Sequence, residues 1–171
     1  MMHSNCPKIH QQDILTAPCG EEKVKKLLEN PSKSLLLYGM PRTGKSTLAW
    51  YICGIRWKEY KEVKVYESWR LSSEISSAYK NGVEQEFFKS FNETDVLFVD
   101  DLGRGRFTDR VGEGLFWLIE RFMKKEKQLI FTTNLDSSGL IERFSDKVTG
   151  KAVLARLKEY CLVMNINRKT K

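Results

Sequence analysis

The chain has 171 residues, 41% of them apolar, and a formal net charge of +7 at pH 7. One ordinary domain of this length forms a core without disulfide or metal staples, and the apolar fraction excludes wholesale disorder. The longest apolar runs, such as Leu35 to Tyr38 and Val96 to Val99, fall far short of the ~18 residues of a membrane span, so no membrane crossing is expected.

The opening MMHSNCPKIHQQD is polar and lacks the apolar centre of a secretory signal, which places the expected location in the cytoplasm. Cys6, Cys19, Cys53 and Cys161 are scattered without a CxxC pair, as suits a reducing compartment. His3, Cys6, His10 and Cys19 have spacings that fit no familiar zinc finger or ribbon. ENPSKS, Glu29 to Ser34, punctuates the chain between an N-terminal arm, residues 1–30, and one continuous domain, residues 31–171. Expected strands follow at Leu35 to Tyr38, Val63 to Tyr66, Val96 to Asp100, Leu129 to Thr133 and Leu162 to Ile166. Between them, Leu48, Ile52 and Ile55, and then Leu115, Leu118, Ile119 and Phe122, recur at helical spacing. Alternating strands and helices predict a parallel sheet covered by helices on both faces, with ligands at the carboxyl ends of the strands.

The first of those ends is the most informative. The strand SLLLY runs into Gly39, Met40, Pro41, Arg42, Thr43, Gly44, Lys45, Ser46 and Thr47, and then into the helix of Leu48 to Trp57. Strand, GxxxxGK[ST] and helix in that order form a phosphate-binding loop. Its glycines let successive backbone N–H groups face phosphate oxygens, and the helix N-terminus adds positive potential. Lys45 then neutralises β- and γ-phosphate charge, and the Ser46 hydroxyl serves Mg²⁺. Arg42 in mid-loop either points to solvent or approaches the nucleotide as an extra cation.

Two further strand ends supply the remaining chemistry. VLFV leads into Asp100 and Asp101: the first is placed to hold the Mg²⁺ hydration shell, the second to polarise a water in line with the γ-phosphate. LIFTT ends in Asn134, whose amide either hydrogen-bonds that water or the γ-phosphate, or serves a strand-to-helix turn.

LYGMPRTGKSTLA, DVLFVDDLGRGRFTD, LFWLIERFMKKEKQLIFTTNL and ARLKEYC stand in the order and spacing of the DnaC-like and IstB-like AAA+ ATPases, which the chain resembles from about Cys6 to Met164. That family includes bacterial and phage helicase loaders and transposition helper ATPases. The resemblance implies a three-layer α/β/α P-loop NTPase fold with a five-stranded sheet in the order 5-1-4-3-2, and an ATP-dependent homo-oligomer. By position it makes Asp100 the Mg²⁺ aspartate, Asp101 the catalytic acid and Asn134 the sensor. Arg156 matches the arginine of an SRL-like box that reaches a neighbouring subunit's ATP; here the box reads Ala155, Arg156, Leu157. Arg42 stands where the family's loop usually has glycine, and Arg168 precedes the usual place of a second sensor arginine. The arm is shorter than the separate N-terminal domain with which long loaders grip their helicase.

Arg104, Arg106 and Arg110 cluster just beyond Asp101, with Phe107 among them. Arginines on such a loop either contact single-stranded DNA, with Phe107 stacking on a base, or make salt bridges between subunits. The C-terminal excess of Lys and Arg, with Glu159 the one acid after Asp146, also favours a polyanionic partner. Trp50, Trp57, Trp69 and Trp117 read as core residues rather than stacking platforms. The sequence therefore predicts an ATP- and Mg²⁺-dependent, helicase-loader-like ATPase acting in DNA replication with single-stranded DNA and a replicative helicase. The alternatives are an IstB-like transposition helper with a transposase as partner and, from another class, a P-loop nucleoside or nucleotide kinase.

Overall fold

Alternate residues of a strand face opposite sides of its sheet. The runs LLLY, VLFV and LIFT carry apolar residues in both sets, so they suit a sheet covered on both faces. The computed structural model, which describes residues 29–166 except 31 and 60, has that architecture. Five strands, β1 (Leu35–Tyr38), β2 (Val63–Glu67), β3 (Val96–Asp100), β4 (Gln128–Thr133) and β5 (Leu162–Asn165), pair in parallel in the order β2-β3-β4-β1-β5. This is the expected 5-1-4-3-2 sheet of a P-loop NTPase-like fold. Each strand starts and ends within one residue of its expected position.

The helices are α1 (Lys45–Lys58), α2 (Ser68–Asn81), α3 (Glu84–Lys89), α4 (Asp109–Lys124), α5 (Ser137–Ile141) and α6 (Lys147–Tyr160). Strand parity divides the core between them. Leu35, Leu37, Val96, Phe98 and Ile130 pack with Leu48, Ile52 and Cys53 of α1. Leu36, Leu97, Val99, Leu129 and Phe131 pack with Ile75 of α2, with Leu115, Leu118, Ile119 and Phe122 of α4, and with Val153 and Leu157 of α6. The fifth helix and the sixth start on aspartates: Asp136 accepts the Gly139 N–H, and Asp146 accepts the N–H groups of Val148 and Thr149. The Gly139 bond foremost for Asp136, and for Asp146 first the Thr149 hydroxyl and then these N–H groups, hold both carboxyls below their ordinary pKa. Among the described residues no helix is long and apolar enough to cross a membrane.

The expectation that all four tryptophans are core residues needs correction. Trp50 is buried and Trp57 half-buried, but Trp69 and Trp117 are 53% and 64% exposed. On α4 the buried stripe is already filled by Leu115, Leu118, Ile119 and Phe122, and Trp117 falls outside it. The His3, Cys6, His10 and Cys19 cluster and Arg168 lie outside the described residues.

Gly114 sets how closely α4 approaches α2. A Cβ there would stand 2.7 Å from Ile75 Cγ2 and 3.2 Å from Phe88 Cζ. Alanine for glycine in a helix gains about 1 kcal/mol of propensity, whereas overpacking a core costs typically about 1–3 kcal/mol. Gly114→Ala is therefore expected to lower the urea midpoint; a raised midpoint would show that the two helices part freely.

Candidate nucleotide-binding site

The carboxyl ends of β1, β3 and β4 lie side by side, so three segments far apart in the chain meet at one edge. From β1 the backbone curls through residues 39–44 into α1. Gly39 and Gly44 take φ values of 147° and 94°, and the Gly44 carbonyl accepts the Leu48 N–H at 2.9 Å to open the helix. Arg42 also lies in the left-handed region, at φ 63°, with its side chain exposed.

Lys45 is only 5% exposed. Its Nζ donates to the carbonyls of Gly39 at 3.0 Å and Met40 at 2.7 Å, so the lysine closes the loop on itself. Burial pushes its pKa below the ordinary 10.5, and the negative charges of Asp101 and Asp100 oppose that shift. In the next position, Ser46 donates its hydroxyl to Asp100 Oδ1 at 2.8 Å, tying the first turn of α1 to the end of β3.

The two acids are held differently. Asp100 Oδ1 also accepts the Thr132 hydroxyl, and the Thr132 oxygen in turn accepts the Asp101 N–H at 2.9 Å. Asp101 adopts φ 55°, a left-handed conformation that is unfavourable for a residue with a Cβ. Its carboxylate receives Asn134 Nδ2 on Oδ1 at 3.0 Å, and Arg104 Nη1 lies 3.7 Å from Oδ2. Lys45, Ser46, Asp100, Asp101 and Asn134 are thus gathered at one edge, through contacts or charge, by distant parts of the chain. A hollow of ≈ 760 Å³ along β2, lined by Tyr66, Trp69 and Arg70 among others, reaches Asp100.

The remaining expected site residues are placed less uniformly. Arg104 and Arg106 are exposed on the loop after Asp101. Arg110 lies over the Tyr79 ring, 5.6 Å from its centroid, and 3.5 Å from Glu113. Phe107 does not match its expected role: it is 2% exposed, its ring sits 4.7 Å from that of Phe144, and its backbone bonds to Arg143 and Ser145. A side chain so buried is not a stacking platform; it anchors the far end of the arginine loop. Arg156, on α6, is paired within its own chain to Glu120 at 2.5 Å and Glu159 at 2.6 Å. Two partners were missed by the reading of the sequence, Thr132 and Glu120. For Thr132 the signal was present, a hydroxyl residue inside an apolar strand two positions before Asn134.

The hydroxyl of Ser46 and the carboxylate of Asp100 are hard oxygen donors of the kind Mg²⁺ prefers, and the fold has already brought them together. These residues fit the ion.

The sequence matches the family of IstB-like ATP-binding proteins over residues 26–170. The chain belongs to that family. No curated protein matches it. Among solved structures, the DnaC helicase loader shares 22% identity at a TM-score of 0.75, covering 94% of this chain and 100% of the other. DnaI shares 16% at 0.71, covering 95% and 88%. AMPPCP-bound DnaA from Aquifex aeolicus shares 23% at 0.68, covering 85% and 45%. At these identities the likeness establishes the fold; the chain spans about half the length of the replication initiation structures it matches.

An IstB-like ATP-binding chain with a buried P-loop lysine should show a proton linkage. Phosphate charge favours the ammonium form, so ATP raises the depressed Lys45 pKa. Below the free-state pKa the lysine is charged with or without ATP, and it adds no pH dependence. Between the free and bound values, binding takes up a proton, and affinity falls as pH rises. Calorimetric titrations with ATP over a series of pH values, each in two buffers of different ionisation enthalpy, should show proton uptake that rises as pH climbs through the free-state pKa. No uptake at any pH would refute the linkage.

Proposed function

We propose that the chain is a Mg²⁺-dependent, ATP-hydrolysing AAA+ ATPase of the DnaC-like type, acting in DNA replication as a helicase-loader-like protein. The observation that carries the reading is the continuous set of hydrogen bonds from Ser46 through Asp100 and Thr132 to Asp101 and Asn134. It puts one carboxylate beside the P-loop hydroxyl and a second beside a sensor amide, the division of labour that metal binding and water activation require. Bound Mg²⁺ would be held by Ser46 and Asp100 and would supply charge neutralisation for the phosphates. Lys45 neutralises phosphate charge, Asp101 polarises the water, and Asn134 orients the carboxylate that does so.

Single-stranded DNA is the proposed effector. Arg104 is 68% exposed yet ion-paired to Asp101, so a phosphate competing for the guanidinium releases the acid. Arg106, exposed on the same loop, adds to the attraction. A homo-oligomer is the proposed assembly. Val148, Ala152 and Arg156 lie at i, i+4 and i+8 on α6, and the 75% exposed Val148 lines one hollow with the 64% exposed Trp117. An exposed apolar patch beside an arginine suits burial against a second copy. Surface pairs such as those of Arg156 with Glu120 and Glu159 exchange readily, leaving Arg156 able to reach a neighbour's ATP. Membership of the IstB-like family also keeps a second reading open, a transposition helper. Affinity capture probed for a replicative helicase and for a transposase separates the two.

Lys45→Ala is expected to abolish binding of a fluorescent ATP analogue, whereas Asp101→Asn keeps binding and loses turnover. Mixing Asp101→Asn with Arg156→Ala subunits should restore part of the activity, since random assembly leaves roughly a quarter of interfaces with both groups intact. Wild-type turnover by Lys45→Ala would show that the site is misassigned; no recovery in a mixture shown to co-assemble would rule out Arg156 acting on a neighbour's ATP, leaving it a same-subunit or fold-stabilising residue.

A single-stranded oligonucleotide should stimulate wild-type hydrolysis and bind with a steep salt dependence. Arg104→Gln combined with Arg106→Gln should lose the stimulation and flatten the log–log slope by about 1.4, at ~0.7 per phosphate contact. An unchanged slope and affinity would remove this loop from nucleic-acid binding.

A further inference from the structure

The Thr132 hydroxyl touches both acidic positions of the site. The residue is 0% exposed, in the fifth position of β4, flanked by Phe131 and Thr133, which are also buried. A hydroxyl has one proton to give and lone pairs to receive. Here the proton goes to Asp100 Oδ1, and the oxygen receives the Asp101 N–H at 2.9 Å. The Thr132 carbonyl receives the next amide, that of Leu102, at 2.7 Å. Both peptide N–H groups that follow Asp100 are therefore held by this single residue of the neighbouring strand.

The second acid needs such a restraint. Asp101 sits at φ 55°, where a residue with a Cβ stays only if its surroundings over-determine the conformation. Released from Thr132, the Asp101 amide would lose its partner in a half-buried setting, and its backbone would have reason to relax toward negative φ. That rotation would swing the carboxylate away from Asn134. Meanwhile Asp100 would lose one of the two hydroxyl donors on Oδ1 and keep only Ser46.

We infer that Thr132 is a positioning residue that couples the metal-side carboxylate, Asp100, to the water-side carboxylate, Asp101, through one shared hydroxyl. This rests on the reading of the site as an Mg²⁺-dependent ATPase. Valine has the same shape as threonine and lacks the hydroxyl, while serine keeps it.

The test compares wild type, Thr132→Val and Thr132→Ser by three measurements: ATP turnover, affinity for a fluorescent non-hydrolysable ATP analogue with and without Mg²⁺, and hydrogen exchange at the Asp101 amide. Removing a group that orients a metal ligand typically costs about 10–100-fold. Thr132→Val is expected to lose turnover in that range, with KM for MgATP raised by up to about tenfold. It should bind the analogue normally without Mg²⁺ but gain about tenfold less from adding it. The Asp101 amide should exchange faster. Thr132→Ser should restore all three to within a few-fold of wild type, a recovery that a purely space-filling role of the methyl group would not give.

A Thr132→Val protein matching wild type in turnover, Mg²⁺ gain and exchange overturns the inference. If the valine variant fails to fold, Thr132→Ser and wild type still decide it. A serine variant that folds but loses the Mg²⁺ gain, or a wild-type Asp101 amide exchanging as fast as that of Arg106, overturns it. Failure of the ATPase reading looks different: the wild type itself would not hydrolyse ATP, and the exchange measurement would still judge the role of Thr132.

Discussion

A carboxylate at the mouth of an apolar sheet has to be held by donors, and the site is organised around how Asp100 is held. The four residues before it in β3 have 0% exposure, so the strand delivers a charge from the driest part of the molecule to its edge. Ser46 and Thr132 both donate to Oδ1. One donor belongs to the helix after the phosphate loop and the other to the strand lying between β1 and β3. The carboxylate thereby locks the loop, the acidic edge and β4 into one unit before any ligand arrives, and the energy of ordering these segments is met by folding rather than by binding.

The same arrangement gives the two adjacent aspartates different surroundings. Asp100 is inward, with its carboxylate among hydroxyls; Asp101 is turned by its left-handed backbone toward Asn134 and Arg104. Two oxygens of one acid thus face an amide from β4 and a cation from the loop beyond β3. Lys45 completes the electrostatics from the other side, its ammonium desolvated by the loop and partly compensated by both carboxylates. An incoming polyphosphate brings charge to the place where that compensation is incomplete.

Away from the ATP edge, the loop from Asp101 to Phe107 is pinned at both ends, by Thr132 at the start and by Phe144 and its neighbours at the finish. Burying Phe107 costs the loop an aromatic contact surface but presents Arg104 and Arg106 outward from fixed points. On the α4 and α6 side, Trp117 and Val148 are left uncovered and line one hollow. The molecule therefore has one rigid chemical edge and two exposed surfaces, one cationic and one apolar.

The phosphate loop, the paired acids and the terminal asparagine could be read from the amino acids alone because each is a contiguous motif attached to its own strand. Glycine spacing, a lysine and an apolar run state their backbone geometry locally, and period-two patterning states that both faces are covered. The five strands were located on the same grounds, while their order came from the family resemblance. What patterning does not state is which distant residue a side chain meets. Thr132 reaches Asp100 because β4 pairs with β3 in register Phe131 to Val99. Phe107 is buried because Phe144, far along the chain, lies against it, and Trp117 is exposed because α4 had already filled its inward stripe with other residues. Periodicity selects a face of an element; only the packing of the whole chain decides what stands opposite that face, and here that choice turned a strand threonine into the link between two acids.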